Sequence, residues 1–149
     1  MPQHKIDLQH ALRDARIPSN KKIKSWAKIA LSDEKKAREV TLRIVDLAEM
    51  TELNQRYRGK TGPTNVLSFP FELPETLASS CLGDIIICPD VVAQEAQAQH
   101  KTLEAHFAHL VIHGVLHLLG YDHTHTKDAK RMESKEIELL RPLGFNDPY

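Results

Sequence analysis

The sequence is poor in cysteine, in aromatic residues and in long apolar runs. Its two cysteines, Cys81 and Cys88, are too few for a disulfide framework and lack the spacing of a zinc-binding pair, so we interpret them as buried or half-buried thiols. Aromatic residues make up 5% of the chain, which argues against the aromatic-rich platforms of common RNA-binding modules. No apolar run approaches the roughly 18 residues of a membrane span. Residues 1–10 are polar and lack the apolar core of a secretory signal. These absences predict a cytoplasmic protein with no membrane partner.

The chain has a net charge of zero, because its 20 Lys and Arg residues balance its 20 Asp and Glu residues. The distribution is uneven: residues 1–60 hold 14 basic against 8 acidic side chains, and residues 61–149 hold 6 against 12. A basic half can attract phosphate, since association depends on the local field rather than on the total charge. The same Lys and Arg are equally compatible with ordinary solvated helix faces.

The length of 149 residues fits one domain, spanning residues 1–149. Apolar and polar residues alternate with the period of a strand at 40–44, and short β-branched or apolar runs predict strands at 66–71 and 83–88. A first strand at 5–8 and a short helix after it are weaker predictions. Helical spacing predicts helices from residue 19 or 20 to about 32, at 46–58, at 90–99 capped by Asp90, after Thr102, and at 127–140. Residues 72–82 are predicted to form a loop. This alternation favours an α/β or α+β domain with helices packed on one small sheet.

The most informative stretch is a helix that carries two histidines and ends in a glycine turn. His113 and His117 are four residues apart, so their rings lie on one face of the helix. Gly120 stands where a left-handed helix end favours glycine, and a reversal there returns His123 to the same face. Three protein ligands with an open position are typical of a catalytic zinc site. The alternative is coincidence in a chain with nine histidines, among which His109 and His113 are also four apart.

This spacing resembles that of the metzincin proteases, except that Gly114 replaces the glutamate that acts there as general base. The full string H-G-V-L-H-L-L-G-Y-D-H, glycine included, resembles instead the YbeY endoribonuclease family. Residues 53–59, residues 64–70 and the Gly-Asp-Ile sequence at 83–85 are similar to further motifs of that family. The resemblance covers most of the chain from about residue 40 to residue 144.

The resemblance implies an α+β fold with a small mixed sheet of about four strands and a zincin-like helix that carries the metal site. It implies a metal-dependent, single-strand-specific endoribonuclease of ribosomal RNA maturation, including processing of the 16S rRNA 3′ end, and of ribosome quality control. The expected metal ligands are His113, His117 and His123, holding one Zn²⁺, although three histidines also suit other divalent transition metals. Arg58 and His113 are the expected catalytic residues. The expected partners are single-stranded ribosomal RNA and the ribosome or its small subunit with associated proteins, and no DNA.

Several alternatives remain open from the residues alone. Arg58 has the chemistry to bind phosphate, but it also suits the C-terminal end of a helix as a cation that complements the dipole. The spacing of the histidines leaves a zinc metalloprotease-like hydrolase possible, opposed by Gly114. A ribosome-associated RNA-binding protein with a structural metal is a third hypothesis, which a fourth ligand from Asp122 or His125 would favour. For Asn65 and Ser68 we rate structural roles ahead of functional ones.

Overall fold

Four strands and five helices make up the part of the chain that the computed structural model describes, residues 2–71 and 80–149. In chain order the elements are β1 (Lys5–His10), α1 (Asn20–Ala30), β2 (Glu39–Ile44), α2 (Leu47–Arg58), β3 (Val66–Pro70), β4 (Cys81–Ile87), α3 (Pro89–Ala98), α4 (Leu103–Leu118) and α5 (Thr126–Leu140), followed by a 3-10 turn at Arg141–Leu143. The predicted α+β domain with a small mixed sheet is confirmed. Within these residues, no helix combines the length and the apolar character that crossing a bilayer requires.

The sheet has the strand order β1-β2-β4-β3, in which β1, β2 and β4 run parallel and β3 is an antiparallel edge strand. Gly83 permits the pairing of β3 with β4. Its φ is +144°, and a Cβ atom at this position would lie 2.2 Å from the carbonyl oxygen of Phe69. Only glycine therefore fits here, which gives the Gly-Asp-Ile sequence a structural reason.

Side-chain caps begin three of the helices at the predicted residues. The capping side chain accepts a hydrogen bond from the backbone N–H three residues later in each case, at Ser19, Asp46 and Thr102. Asp46 and Glu49 have the spacing of a capping box, but only the Asp46 half forms, because the Glu49 carboxylate binds the Arg43 guanidinium, with an Oε2–Nε distance of 2.7 Å. The structure thus uses Glu49 to connect α2 to β2.

Three local predictions were wrong. Asp90 does not cap α3, which begins one residue earlier at Pro89, where proline favours a helix start. The Asp90 carboxylate binds Arg16 instead, at 2.6 Å. No helix follows β1, because turn and irregular backbone lead directly to α1. The loop predicted at 72–82 extends too far, because residues 81 and 82 belong to β4. Residues 72–79 of this prediction lie outside the described residues.

Helix α4 lies at the centre of the domain, packed on β3 and β4 and against α1, α3 and α5. Most of its side chains are buried, and alternate residues of the strands face it, namely Ile6, Val40, Leu42, Ile44, Ile85 and Ile87. A smaller cluster on the other face of the sheet is covered by α2. Gly114 sets the approach of α4 to the sheet, since a Cβ atom there would already lie 3.0 Å from the Ile85 side chain. The helix that carries the histidines is therefore closely packed on the sheet.

Candidate metal centre

Three histidine rings converge at the C-terminal end of α4. His113 and His117 stand one turn apart with ring centroids separated by 4.7 Å. The helix then ends in a Schellman motif, in which the N–H of Gly120 donates to the His117 carbonyl and the N–H of Tyr121 donates to the Leu116 carbonyl. Gly120 has a φ of +102°, as predicted. The reversal brings the His123 ring to centroid distances of 4.8 Å from His117 and 5.6 Å from His113.

These rings offer a donor set that fits a metal ion. One ring nitrogen of each lies within 4.8 Å of the other two. His117 Nε2 and His123 Nδ1 are 3.1 Å apart, close to the roughly 3.4 Å expected for two nitrogens bound tetrahedrally at about 2.1 Å. Burial, together with repulsion from His113 and His123, lowers the pKa of His117 to about 4. This ring is therefore neutral at neutral pH and has a lone pair available for a metal.

A buried carboxylate controls the other side of the His113 ring. Glu136, on α5, has no exposed surface, and its Oε2 atom lies 3.1 Å from His113 Nδ1. Burial opposes ionisation of Glu136, but hydrogen bonds from His109 and His113 outweigh it and lower its pKa to about 2. An ionised carboxylate only accepts hydrogen bonds, so the proton of neutral His113 lies on Nδ1. Nε2 is then the nitrogen with a free lone pair.

Glu136 also holds two further donors. His109 Nε2 donates to Oε1 at 2.7 Å, and the hydroxyl of Tyr149 donates to the same oxygen. We did not predict Glu136 from the sequence, although α5 carries a signal for it. It occupies the buried stripe of that helix between Met132 and Leu139, where a carboxylate is retained only with partners. His109 is one of those partners.

A cavity of about 550 Å³ opens in front of the three histidines. Its walls come from the end of α2, the loop that follows it, β3, and the turn after α4. The buried Asn54 side chain fixes that loop by donating to the Gly62 carbonyl at 2.8 Å. Asn65 and Ser68 line the cavity and have structural partners, as predicted: Asn65 donates to Glu95 and Ser68 donates to the Gly114 carbonyl.

Arg58 is the cationic side chain of this cavity. It is the last residue of α2, which ends at Gly59 with a left-handed φ of +64°. Its guanidinium is exposed and makes no ion pair or hydrogen bond to any residue that the structure describes. Arg56, two positions earlier, is paired with Glu52 at 3.0 Å. The structure therefore leaves Arg58 available for an anion in front of the histidines.

Position 114 cannot supply a general base to this cavity. A side chain there would point at Ile85 in the sheet and would meet it at 3.0 Å. In the metzincin pattern the residue after the first histidine is the glutamate that takes a proton at the metal. The packing of α4 on β4 thus removes the main support for a protease.

A closed, structural metal site also lacks support. Among residues 2–71 and 80–149, no further His, Cys, Asp or Glu joins the three histidines. Asp122 lines the cavity, but its carboxylate accepts hydrogen bonds from the backbone N–H groups of His123 and Thr124, so it shapes the turn. His125 precedes α5 and is exposed. The three-ligand set with an open side is what a reactive site needs.

The chain is similar to known proteins over almost its whole length. A family model described as Endoribonuclease YbeY matches residues 8–144. Endoribonuclease YbeY from two strains of Coxiella burnetii, Dugway 5J108-111 and RSA 331 / Henzerling II, is 52% identical over 147 residues, and each alignment covers 97% of both proteins. The solution structure of TM1509 from Thermotoga maritima is 28% identical with a TM-score of 0.60, over 96% of this chain and 97% of that one.

Proposed function

The chain belongs to the Endoribonuclease YbeY family and is an endoribonuclease, and from this premise we propose that it cuts single-stranded ribosomal RNA at the cavity in front of α4. We propose Zn²⁺ as its metal and His113, His117 and His123 as the ligands. The observation that carries the proposal is the convergence of three ring nitrogens in one open cavity that also holds the Arg58 guanidinium, which has no partner among the described residues.

A bound divalent ion supplies Lewis-acid polarisation of a phosphoryl oxygen and stabilises charge that develops on it. The remaining work falls to the chain itself. Arg58 binds the phosphate through its guanidinium fork and stabilises the charge of the transition state. Glu136 holds the proton of His113 on Nδ1, which keeps the ring in one orientation and one tautomer. In this proposal His113 acts in catalysis as a residue that would hold the metal, and Glu136 positions its ring.

The biological setting is part of the proposal. We place the activity in the maturation of ribosomal RNA, including the 16S rRNA 3′ end, and in ribosome quality control, with the ribosome or its small subunit and associated proteins as partners. The proposal includes a cytoplasmic location, where such substrates are found. The surplus of basic side chains in residues 1–60 supports an RNA partner, because phosphate backbones are attracted by local positive charge.

The test is cleavage of a labelled single-stranded RNA by the purified protein, with and without a chelator. His117→Ala and Arg58→Ala, purified identically, are the informative variants. We expect the chelator and His117→Ala to abolish cleavage, and Arg58→Ala to slow it roughly 100-fold, the cost of losing one preorganised charge partner.

Arg56→Ala is the matched control. Arg56 lies on the same helix and is exposed, but its charge is paired with Glu52 and it does not line the cavity. We expect this variant to cleave at nearly the wild-type rate. Equal cleavage by all four proteins would mean a contaminating nuclease, and a metal-loaded protein that cuts no RNA would contradict the proposal.

A further inference from the structure

Two aromatic rings form one wall of the cavity. Tyr57 is the penultimate residue of α2, and Phe69 lies on β3. Their ring centroids are 5.3 Å apart with an interplanar angle of 65°, an edge-on contact. Both side chains line the same cavity as Arg58 and the three histidines. We refer to Tyr57 and Phe69 as the aromatic pair.

The exposure of Tyr57 calls for an explanation. The residue is 60% exposed, although its ring could contribute more to stability if it were buried. The other large hydrophobic side chains that are exposed among the described residues, Leu47, Phe71 and Tyr149, do not line this cavity. The Tyr57 hydroxyl makes no hydrogen bond to any described residue. Tyr57 therefore presents an open ring to the cavity, and Phe69 supports that ring from the side.

The position of Tyr57 beside Arg58 indicates the chemical class of the ligand. The two residues are adjacent on the last turn of α2, and both side chains reach the cavity. A flat ring beside a guanidinium that has no partner among residues 2–71 and 80–149 matches one nucleotide, whose base has a π-face and whose phosphate is an anion. A lone anion would need only Arg58, and an apolar peptide side chain would gain nothing from its charge.

From this juxtaposition we propose that the aromatic pair is a nucleobase subsite: one base of the RNA stacks on Tyr57 while the neighbouring phosphate binds Arg58. The proposal rests on the proposed endoribonuclease function and extends it to substrate selection. Bases in a duplex are stacked on both faces, so only an unpaired, unstacked base can lie on this ring. The subsite therefore selects single strands, and it accepts all four bases because each has a π-face.

Binding, rather than cleavage, tests this subsite. The metal-loaded protein is titrated into a labelled, 2′-O-methylated single-stranded oligonucleotide and into the same strand with its central bases removed. The abasic strand retains the phosphates, so it reports the contribution of charge alone. Strand integrity is checked on a gel after each titration.

We expect wild-type protein to bind the intact strand about 10-fold more tightly than the abasic strand, as is typical of a single base stacked on an aromatic ring. Tyr57→Ala removes this difference, whereas Tyr57→Phe retains it, because the ring stacks without its hydroxyl. Arg58→Ala weakens binding to both strands by the same factor. Zinc content and the unfolding temperature of Tyr57→Ala remain those of the wild type.

Equal affinity of the wild type for the two strands overturns the proposal, and this comparison needs no variant to fold. A preference for the intact strand that survives in Tyr57→Ala also overturns it. If only the subsite proposal is wrong, the wild-type protein still cleaves RNA. If the proposed function is wrong, the wild-type protein does not cleave RNA.

Discussion

Two sets of side chains meet at His113, and they differ in what the imidazoles face. In front, the ring nitrogens of His113, His117 and His123 converge at an open cavity, and the group that they form contains no carboxylate of the described residues. Behind, His109 and His113 face Glu136, which is fully buried and also accepts from Tyr149. We call these the open set and the closed set. The same four-residue spacing on one helix thus produces histidines suited to a metal and histidines that donate to a carboxylate.

The difference shows that a histidine's role depends on the partner of its second nitrogen. In the closed set the Glu136 carboxylate fixes the imidazole proton of each histidine on the nitrogen that faces it, and it also accepts a hydrogen bond from Tyr149. In the open set, His117 Nε2 and His123 Nδ1 face each other at 3.1 Å, and neither ring contacts a carboxylate of the described residues at hydrogen-bond distance. His113 belongs to both sets, because its two nitrogens face opposite sides.

The largest effects are expected from two variants, one in each set, which should change different properties of the protein. His117→Ala removes a donor from the open set, and we expect zinc affinity to fall by more than about 100-fold, beyond the loss typical of a residue that only supports a ligand. His109→Gln changes the closed set, and we expect it to lower the free energy of unfolding by about 2 kcal/mol, since buried polar partners lose their pairing. Chelator competition and urea denaturation measure the two quantities. Equal loss of zinc affinity in both variants would contradict the division into two sets.

A second prediction concerns the link between the sets. Glu136→Gln replaces an acceptor with a group that also donates, so His113 loses its fixed tautomer, and we expect zinc affinity to fall about 10- to 100-fold. Long-range ¹H–¹⁵N correlation spectra should show His113 protonated on Nδ1 in the wild type and a mixture in the variant. A wild-type His113 protonated on Nε2 would refute the assigned role of Glu136.

Tyr149→Phe should have a smaller effect on the same link. Tyr149 is largely exposed as a residue, but desolvation around its hydroxyl and the Glu136 carboxylate raise its pKa far above the ordinary value of 10, so the hydroxyl stays a donor. Removing this donor should lower the free energy of unfolding by about 1 kcal/mol, the usual net value of one hydrogen bond. Zinc affinity should change less than in Glu136→Gln. A change larger than that would mean that Tyr149, not Glu136, dominates the closed set.

The smallest expected effect is on the pH dependence of stability, and it concerns His106, one turn before His109 on α4. His106 is buried and faces Glu95, with its Nε2 atom 2.9 Å from the carboxylate. Burial lowers the pKa of His106 below its ordinary 6.5, against the opposing effect of Glu95. Below pH 6.5 the unfolded chain therefore takes up a proton at His106 that the folded chain resists. The free energy of unfolding is not reduced by His106 above pH 6.5, and it decreases as the pH falls below that value.

His106→Gln should remove that pH dependence while its amide still donates to Glu95. Urea denaturation of both proteins between about pH 7.5 and about pH 5.5 measures the difference, which should grow only on the acid side. Parallel pH profiles would show that His106 does not contribute.

Much of the fold followed from local patterns. Strand alternation at 40–44, the side-chain caps at Ser19, Asp46 and Thr102, and the glycine turn at Gly120 are all formed as predicted. The predictions failed where a distant partner decided, as at Asp90, whose carboxylate binds Arg16 rather than capping its own helix. The strand order could not be predicted from the sequence, because hydrogen bonding between β2 and β4 joins segments that are far apart in the chain.

The sequence by itself determined the helix with two histidines, the turn that returns a third, and the motifs of the family, because these depend on spacing along the chain. The tertiary structure alone decided the rest. Glu136 and Glu95 come from other helices, so only packing could show which histidines they hold. Tyr57 meets Phe69 because α2 lies over the edge of the sheet, and Arg58 stays unpaired because no acid reaches it among the described residues. Function at this site thus depends on which side chains lack a partner, a property that no local pattern encodes.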